Sequence, residues 1–184
     1  EEQNYLESKE DIRMCVHPGW LPFFGLNKEE KPIGIAPEIM HLLQARIGAS
    51  IVPILKASHQ DSLQAVAKGE CDMLPCISNP TEASNLLSSR PYFESVHVMV
   101  TRDDEPYISD LDALGAKTVA VAQGNAVVGY LQKNFPRLKL LTVPSLEKAL
   151  NAVAVGDAHL AIDSLQRVSY IIHEQGLYGL KIAG

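Results

Sequence analysis

Apolar and polar positions alternate between a strand period and a helix period along the first half of the chain. Residues 12–16 form a short apolar run typical of a strand, and apolar residues at helical spacing over 36–47 end at Gly48. The same order then repeats with short connections, which predicts parallel strands in a β-α-β-α-β run. The predicted elements of this half are strands at 12–16, 51–55 and 73–77 and helices at 36–47 and 61–68.

The second half restarts the same winding after a polar link. A strand at 95–102 is followed by DDEPYISD, whose proline and acidic residues indicate a connection, and we place the crossing between two lobes at 99–110. The lobes predicted on either side are residues 1–98 and 111–184. Further predicted elements are strands at 118–122, 138–143, 160–162 and 180–182 and helices at 126–134, 145–155 and 168–173.

One short phrase occurs twice. LQAVAKGECDMLP begins at Leu63, and the similar LNAVAVGDAHLAI begins 87 residues later at Leu150. Each is typical of the end of an amphipathic helix, a glycine at its C-cap and a short strand. Coincidence is one interpretation, because helix-glycine-strand junctions recur in α/β proteins. The other is two similarly built lobes, with a cleft between them as the usual place for a ligand.

Composition narrows the class of protein. With 46% hydrophobic and 21% charged residues the chain is typical of globular proteins, and no apolar run approaches the roughly 18 residues of a membrane-spanning helix. The formal net charge of −6, with both signs interspersed, disfavours a nucleic-acid partner. The acidic start EEQNYLESKEDIR carries no signal peptide, and a secreted protein whose leader has been removed has the same sequence character.

The cysteines and histidines show no metal-binding spacing. Cys15, Cys71 and Cys76 lie in apolar, strand-like stretches, and an odd number cannot pair completely within the chain. We therefore interpret them as small buried side chains. The six histidines are scattered, so neither a metal site nor a cofactor is predicted.

Four segments together resemble a known family over nearly the whole chain. They are IRMCVHPGWLPF, KPIGIAPEIMHLLQARIGA, LQAVAKGECDMLPCISNPTEASNLLSSRPYF and LKIAG. Their order and spacing resemble the bacterial extracellular solute-binding proteins of family 3, in particular the Venus-flytrap sensor domains of histidine kinases and diguanylate cyclases. The resemblance implies an α/β, two-lobe periplasmic-binding-protein fold preceded by a short leader helix. It also implies a periplasmic location, a small polar ligand held between the lobes, and attachment to or docking with a membrane protein.

The end of the chain departs from this family. In the family, a strand like LKIAG is followed by a second crossing and by helices that return to the first lobe, whereas this chain stops at Gly184. We therefore expect the C-terminal return to the first lobe to be missing. A trimmed chain, a disordered tail and a shortened form whose first-lobe surface pairs with a partner all remain open. A homodimer is also left open.

Aromatic and polar residues follow the first and third predicted strands, at the edge where open α/β sheets hold ligands. Trp20, the only tryptophan, and Phe23 offer flat faces to a ligand, with core packing as the alternative. Ser78 and Asn79 offer hydroxyl, amide and backbone donors, with ordinary turn chemistry before Pro80 as the alternative.

Glu82 departs from the pattern of amino-acid-binding relatives. Those relatives show Thr-Pro-x-Arg, whose arginine pairs with the ligand's α-carboxylate, and Glu82 falls at the position of that arginine. A carboxylate repels such a ligand. Either the ligand lacks an α-carboxylate, or it is cationic, or Arg90 or a backbone nest substitutes, or the domain works without a ligand. A solvated loop glutamate is the simplest alternative.

In the second lobe, the resemblance places ligand contacts at two strand ends. Asn125 lies in a strand-to-helix turn where relatives bind a carboxylate, and capping the helix is its alternative role. Relatives hold a ligand ammonium with Asp or Asn near the second copy of the repeated phrase. Counting from Gly156 puts Ser164 on that position, although a one-residue loop difference restores Asp163. Capping the helix that starts near Leu165 is the simpler role for one of the pair.

Three functions from different classes follow. The first is an extracytoplasmic ligand-sensing domain of a transmembrane histidine kinase or diguanylate cyclase. The second is the solute-binding protein of an ABC importer for amino acids or other polar solutes. The third is an enzyme that resembles cyclohexadienyl dehydratase. No nucleophile-base triad, phosphate loop or metal spacing supports catalysis, so we predict no enzyme activity.

Overall fold

Two compact units make up the chain. A computed structural model describes residue 6, residues 8–77 and residues 85–184. The chain divides into Glu1–Arg90 and Pro91–Gly184, and each unit has hydrophobic cores of its own. Both units are mixed α/β, as the sequence predicted. No helix within the described ranges is long and apolar enough to cross a membrane.

In the first unit, the predicted β-α-β-α order is confirmed. Its strands are β1 (Asp11–Val16), β2 (Gly25–Leu26), β3 (Pro32–Ile33) and β4 (Ser50–Leu55), and its helices are α1 (Ile35–Ile47) and α2 (His59–Ala67). β1 and β4 pair in parallel along their whole length, as the short helical crossover requires. β2 and β3 form a short antiparallel pair that the sequence did not predict.

α1 ends where the sequence predicted. Gly48 takes the left-handed conformation with a φ of 68°, and its N–H donates to the carbonyl of Gln44 at 2.9 Å. This stop directs the chain back into β4 and lets one face of α1 cover the strands. The buried residues of the resulting core are Met14, Val16, Phe24, Met40 and Ile51.

Cys15 and Cys71 form a disulfide. Both are buried, as predicted, with exposed fractions of 0% and 2%, but they are bonded to each other rather than serving only as small apolar side chains. Pairing was hidden because 56 residues separate them in the sequence. In the fold, the N–H of Cys15 donates to the carbonyl of Met73 at 3.0 Å, which brings the segment around Cys71 alongside β1.

The strand predicted at 73–77 is reduced to a single bridge. Met73 lies opposite Met14 in a parallel bridge, and no strand continues from it within the described residues. Pro75 explains the difference, because it has no N–H to donate to a neighbouring strand.

The second unit is built on one mixed sheet. Its strands are β5 (His97–Arg102), β6 (Thr118–Ala122), β7 (Lys139–Val143), β8 (Leu160–Ser164) and β9 (Leu180–Ile182), and its helices are α3 (Val127–Asn134), α4 (Leu146–Ala154) and α5 (Leu165–Gln175). The five strands lie in the order β7-β6-β8-β5-β9. β6 is parallel to β7 and β8, as predicted, whereas β5 runs antiparallel to β8 and β9.

Both faces of this sheet are covered. Along β6, Val119 and Val121 belong to one buried cluster and Ala120 to another, because successive side chains on a strand point to opposite faces. Leu131 of α3 joins the first cluster, and Leu150 of α4 joins the second. The covered faces explain why β6, near the centre of the sheet, is apolar at every position after Thr118.

The predicted crossing at 99–110 lies within the second unit. The division falls between Arg90 and Pro91, and β5 is a full member of the second unit's sheet. An isolated apolar strand does not show in the sequence which sheet it will join, so the crossing at 99–110 stays a prediction. Here the pairing of β5 with β8 and β9 decides its place.

The repeated phrase folds in the same way in both units. Ser58 and Ser145 cap α2 and α4 with nearly identical backbone angles, φ/ψ of −145°/166° and −147°/162°. Gly69 and Gly156 follow the two helices with φ of 74° and 87°, a conformation that favours glycine. The phrase is therefore a repeated structural unit.

In both units the residue at the same offset within the phrase pairs in parallel with an earlier strand. Met14 bridges Met73 in the first unit, and Val119 lies opposite Leu160 in the second. Leu160 follows Met73 by the same 87 residues that separate the two phrases. The repeat thus extends from the helix to the strand pair on which it packs.

Candidate functional site

The first unit has a recess at the carboxyl end of β1, which we call the first-unit recess. It is lined by Cys15, Val16, His17, Trp20, Phe24, His59, Ser62, Leu74, Pro75 and Cys76. Its enclosed space is about that of a single water molecule, far below the roughly 300–1,000 Å³ of typical small-molecule pockets. The recess by itself is therefore too small to enclose a ligand.

Trp20 lies at the centre of ring contacts in this recess. Its ring centroid is 5.1 Å from that of Phe23 and 5.9 Å and 5.8 Å from those of His17 and His59. The backbone N–H of Trp20 donates to the carbonyl of Phe24, and the backbone N–H of Phe24 donates to the carbonyl of Trp20, each at 3.1 Å, which fixes the turn that carries the ring. The indole itself is half-buried among these rings and still partly open. The ligand-stacking role of Trp20 and Phe23 stays a prediction.

Sequence reasoning missed both histidines of the recess. His59 is the first residue of α2, and the first residue of α4 is Leu146, which is buried. An imidazole in place of a buried leucine at the same point of the repeat was the available signal. His17 carries a weaker signal, since it directly follows β1 at the sheet edge.

The remaining first-lobe candidates, Ser78, Asn79 and Glu82, lie outside the described residues. The alternatives raised by Glu82 therefore stay predictions. Arg90, which was one of the suggested substitutes for the missing arginine, is exposed.

The second unit gathers the other candidates around one buried carboxylate. Asp163 lies near the end of β8 and is 2% exposed. Its Oδ2 accepts hydrogen bonds from Asn125 Nδ2 and Arg167 Nη1, each at 2.9 Å. Its Oδ1 accepts from the N–H of Ser164 at 2.7 Å, the hydroxyl of Ser164 at 3.3 Å and Arg167 Nη1 at 3.2 Å. We call Asn125, Asp163, Ser164 and Arg167 the Asp163 network, and within it both carboxylate oxygens are satisfied.

Asn125 connects the network to the start of α3. Its Oδ1 accepts from the N–H of Val127 at 2.9 Å, while its Nδ2 donates to Asp163. The side chain thus has the structural role that the sequence left open, since it satisfies the first N–H of the helix. Carboxylate binding at this turn stays a prediction.

Ser164 immediately precedes α5 but makes no side-chain cap. It is 7% exposed, and its N–H and hydroxyl both donate to Asp163 instead. The capping role suggested for one of Asp163 and Ser164 is therefore not observed. A cap would need the Ser164 hydroxyl oxygen to accept from a helix N–H, whereas here the hydroxyl is directed at the Asp163 carboxylate, to which it donates.

Arg167 completes the network and was not predicted. It follows Asp163 by four residues in the first turn of α5, and its side chain is 20% exposed. Its Nε is buried and has no hydrogen-bond partner in the part of the chain that the structure describes. An arginine four residues after an aspartate, at a strand-to-helix junction, was the available signal.

Comparison with known proteins assigns the chain to a family. Residues 12–168 match the bacterial extracellular solute-binding proteins, family 3. The chain belongs to this family. This family 3 protein is therefore a periplasmic domain with the Venus flytrap fold that the sequence resemblance implied.

Relatives of this family 3 domain include sensor proteins. The virulence sensor protein BvgS of Bordetella bronchiseptica is 28% identical over 183 residues, which are 99% of this chain and 15% of BvgS. The crystal structure of the Bordetella pertussis BvgS periplasmic VFT2 domain has a TM-score of 0.85 at 28% identity, with 99% of this chain and 78% of that chain covered. A histidine kinase sensor domain with similarity to periplasmic binding proteins has a TM-score of 0.82 at 22% identity, with 97% and 78% covered. The family 3 domain thus spans a small part of the curated sensor protein and most of the isolated domains.

Proposed function

We propose that this family 3 domain is the periplasmic ligand-sensing part of a membrane-bound signalling protein of the histidine kinase class. One observation carries the proposal. The alignment with BvgS runs through both units and 99% of the chain, yet covers only 15% of BvgS. A domain of this size within a sensor kinase passes its signal to other parts of the same protein, so membrane attachment belongs to the proposal.

The ligand that we propose is a small polar molecule. In the first-unit recess, the indole of Trp20 offers a flat surface, and the imidazoles of His17 and His59 lie beside it. Because the recess is too small to enclose a ligand by itself, we propose that the ligand lies against these rings and also contacts residues outside the recess. That the ligand lies between two lobes stays a prediction from the sequence resemblance.

Sensing requires recognition and no chemical step in the domain. A ligand that binds one conformation better than another shifts the population toward the first, by as much as the two affinities differ. Because this shift is itself the signal, we propose that the domain binds its ligand and does not convert it.

A thermal-shift screen tests ligand binding. The 184-residue chain is heated with single compounds drawn from amino acids, polyamines, organic acids and short peptides. A ligand at about a hundred times its Kd adds about 2.7 kcal/mol, which raises Tm by roughly 5–10 °C for a protein of this size. Trp20 fluorescence is recorded for each hit. It is expected to change because the proposed ligand lies against the indole, and the signal comes from Trp20 alone because this chain has a single tryptophan.

Two matched variants locate the hit. His59→Leu introduces the residue found at the same point of α4, and we expect it to weaken binding about tenfold or more, a loss of about 1.4 kcal/mol. His41→Leu, on the exposed side of α1, is the control and is expected to bind normally. A hit that is unaffected by His59→Leu would remove the recess from the proposal. The absence of any hit would argue against ligand sensing.

The full-length protein distinguishes a sensor from a transport protein. We expect its gene to continue into a membrane-spanning segment and a kinase domain, and we expect the hit to change autophosphorylation in membranes. A gene that encodes only the binding domain, beside permease genes, would instead support the importer alternative.

A further inference from the structure

We propose that Arg167 is a built-in counter-ion that occupies the cation position at Asp163, so that the second unit selects a neutral or anionic ligand group and not an ammonium group. The inference rests on the ligand binding proposed above and adds the charge class of the ligand. It is carried by the bonds within the Asp163 network.

The charge of Asp163 is balanced before any ligand arrives. A buried carboxylate is strongly unfavourable unless it is paired and hydrogen-bonded, and Asp163 is 2% exposed. Among the described residues, Arg167 is the one cation in contact with it, through Nη1 at 2.9 Å from Oδ2 and 3.2 Å from Oδ1. The attraction that would recruit a ligand cation is therefore already used within the protein.

The acceptor positions of the carboxylate are also taken. Asn125 Nδ2 donates to Oδ2, and the N–H and hydroxyl of Ser164 donate to Oδ1, in addition to the two contacts from Arg167. A carboxylate offers about four lone-pair positions. An incoming ammonium group would have to displace one of these donors, and displacing Arg167 would leave a mostly buried guanidinium without its counter-ion.

Arg167 competes from a favourable position. It lies in the first turn of α5, directly after the strand that carries Asp163. A tethered group competes at an effective concentration that is roughly millimolar or higher. A free ammonium group therefore displaces Arg167 only if its own concentration, relative to its Kd, exceeds that of the tethered guanidinium.

The network offers a ligand donors rather than acceptors. A guanidinium donates hydrogen bonds and accepts none. Arg167 Nε is buried and lacks a hydrogen-bond partner among the described residues, so the network holds one unsatisfied donor, which a ligand reaches only when a side chain moves aside. A carboxylate, carbonyl or hydroxyl oxygen can accept from it, and an ammonium group cannot.

Chemical rescue tests the counter-ion role. Arg167→Ala leaves Asp163 buried without a cation, and we expect Tm to fall by roughly 6 °C or more. Methylguanidinium chloride at millimolar concentration is expected to restore a substantial part of this loss, because it returns the missing cation. Sodium chloride at the same concentration is expected to restore none, and the wild-type chain is expected to gain nothing from methylguanidinium.

Two further variants serve as controls. Asp163→Asn/Arg167→Met removes both charges, and we expect it to melt above Arg167→Ala and to ignore methylguanidinium. Arg137→Ala removes an exposed arginine and is expected to leave Tm unchanged. If Arg167→Ala does not fold alone, its refolding yield with and without methylguanidinium replaces the melting measurement.

Several results would overturn the proposal. They are a folded Arg167→Ala that does not respond to methylguanidinium, a wild-type chain that methylguanidinium stabilises, and a natural amine ligand whose binding is lost in Asp163→Asn. The rescue depends only on Asp163 and its counter-ion. A compound screen without hits would therefore count against ligand sensing and leave the rescue result standing.

Discussion

Asp72 shows how one carboxylate can hold separate parts of the first unit together. Its Oδ2 accepts from the backbone N–H of Arg13 at 2.9 Å and from Arg13 Nε at 3.0 Å, and its Oδ1 accepts from Lys9 Nζ at 2.7 Å. Arg13 Nη2 also donates to the carbonyl of Gly69 at 3.1 Å, just after α2. The bonds from Arg13, and then from Lys9, hold the pKa of Asp72 well below its usual value of 3.8.

Asp72→Asn is expected to lower the free energy of unfolding by about 1–2 kcal/mol at neutral pH, because bonds from charged donors to the carboxylate are weakened. The folded-state pKa lies below the unfolded value of 3.8, so this stability is fully present above that value and is lost as the pH falls below it. Urea unfolding at a series of pH values measures the effect.

Asp157→Asn, on the exposed turn after α4, is the control and is expected to match the wild type throughout. A deficit in Asp72→Asn that is as large at about pH 3 as at about pH 7 would contradict the proposed pairing.

At the scale of elements, the sequence was informative wherever burial imposes a periodicity. The strand predicted at 118–122 is β6 (Thr118–Ala122), since a run of small apolar residues suits a sheet that is covered on both faces. The two-residue strands β2 and β3 are too short to show any period, and they escaped prediction. The place of β5 depends on partners that follow it by many residues, so no local pattern could assign it.

The candidate site was predictable to a similar extent. Asn125, Asp163 and Ser164 were proposed because the family resemblance places ligand contacts at these two strand ends, and the structure brings all three into one network. Arg167 was missed because its importance depends on the buried carboxylate of Asp163, and the short segment that joins the two residues does not reveal that burial. His59 was missed because its departure from the repeat becomes meaningful only when α2 and α4 are superimposed.

The two capping serines offer a matched test of the repeat. Ser58 Oγ accepts from the N–H of Asp61 at 3.1 Å, and Ser145 Oγ accepts from the N–H of Lys148 at 3.3 Å. Ser58→Ala and Ser145→Ala are each expected to lower the free energy of unfolding by about 1 kcal/mol, because each leaves one helix N–H unsatisfied. Denaturant unfolding monitored by circular dichroism measures both.

Ser109→Ala, at an exposed position outside any helix, is the control for the capping variants and is expected to have no effect. An effect in only one of the two capping variants would show that the two copies differ in stability despite their shared geometry.

At the scale of the whole molecule, the two units reach stability by different means. The second unit has a five-stranded sheet with buried clusters on both faces. The sheets of the first unit have two strands each in the described residues, and a disulfide joins β1 to the segment after α2. A smaller core gains more from a covalent bond, because the bond restricts the unfolded chain.

Replacing Cys15 and Cys71 by alanine is expected to lower the free energy of unfolding of the first unit by about 2–4 kcal/mol, because the bond closes a loop across 56 residues of sequence. Trp20 fluorescence reports this unit during urea unfolding. Cys76→Ser is present in both proteins, so that thiol-disulfide exchange does not complicate the comparison. Unfolding curves that coincide would show that the bond contributes nothing to this unit.

The matching strand pairs of the two units also match individual buried positions. Cys71 corresponds to Ala158 along the repeated phrase, and Cys15 corresponds to Ala120 because Met14 and Val119 occupy equivalent places in the two strand pairs. Cys15 and Ala120 are both 0% exposed, and Cys71 and Ala158 are both 2% exposed. The same two buried places therefore accommodate a covalent cross-link in one unit and a pair of small apolar side chains in the other.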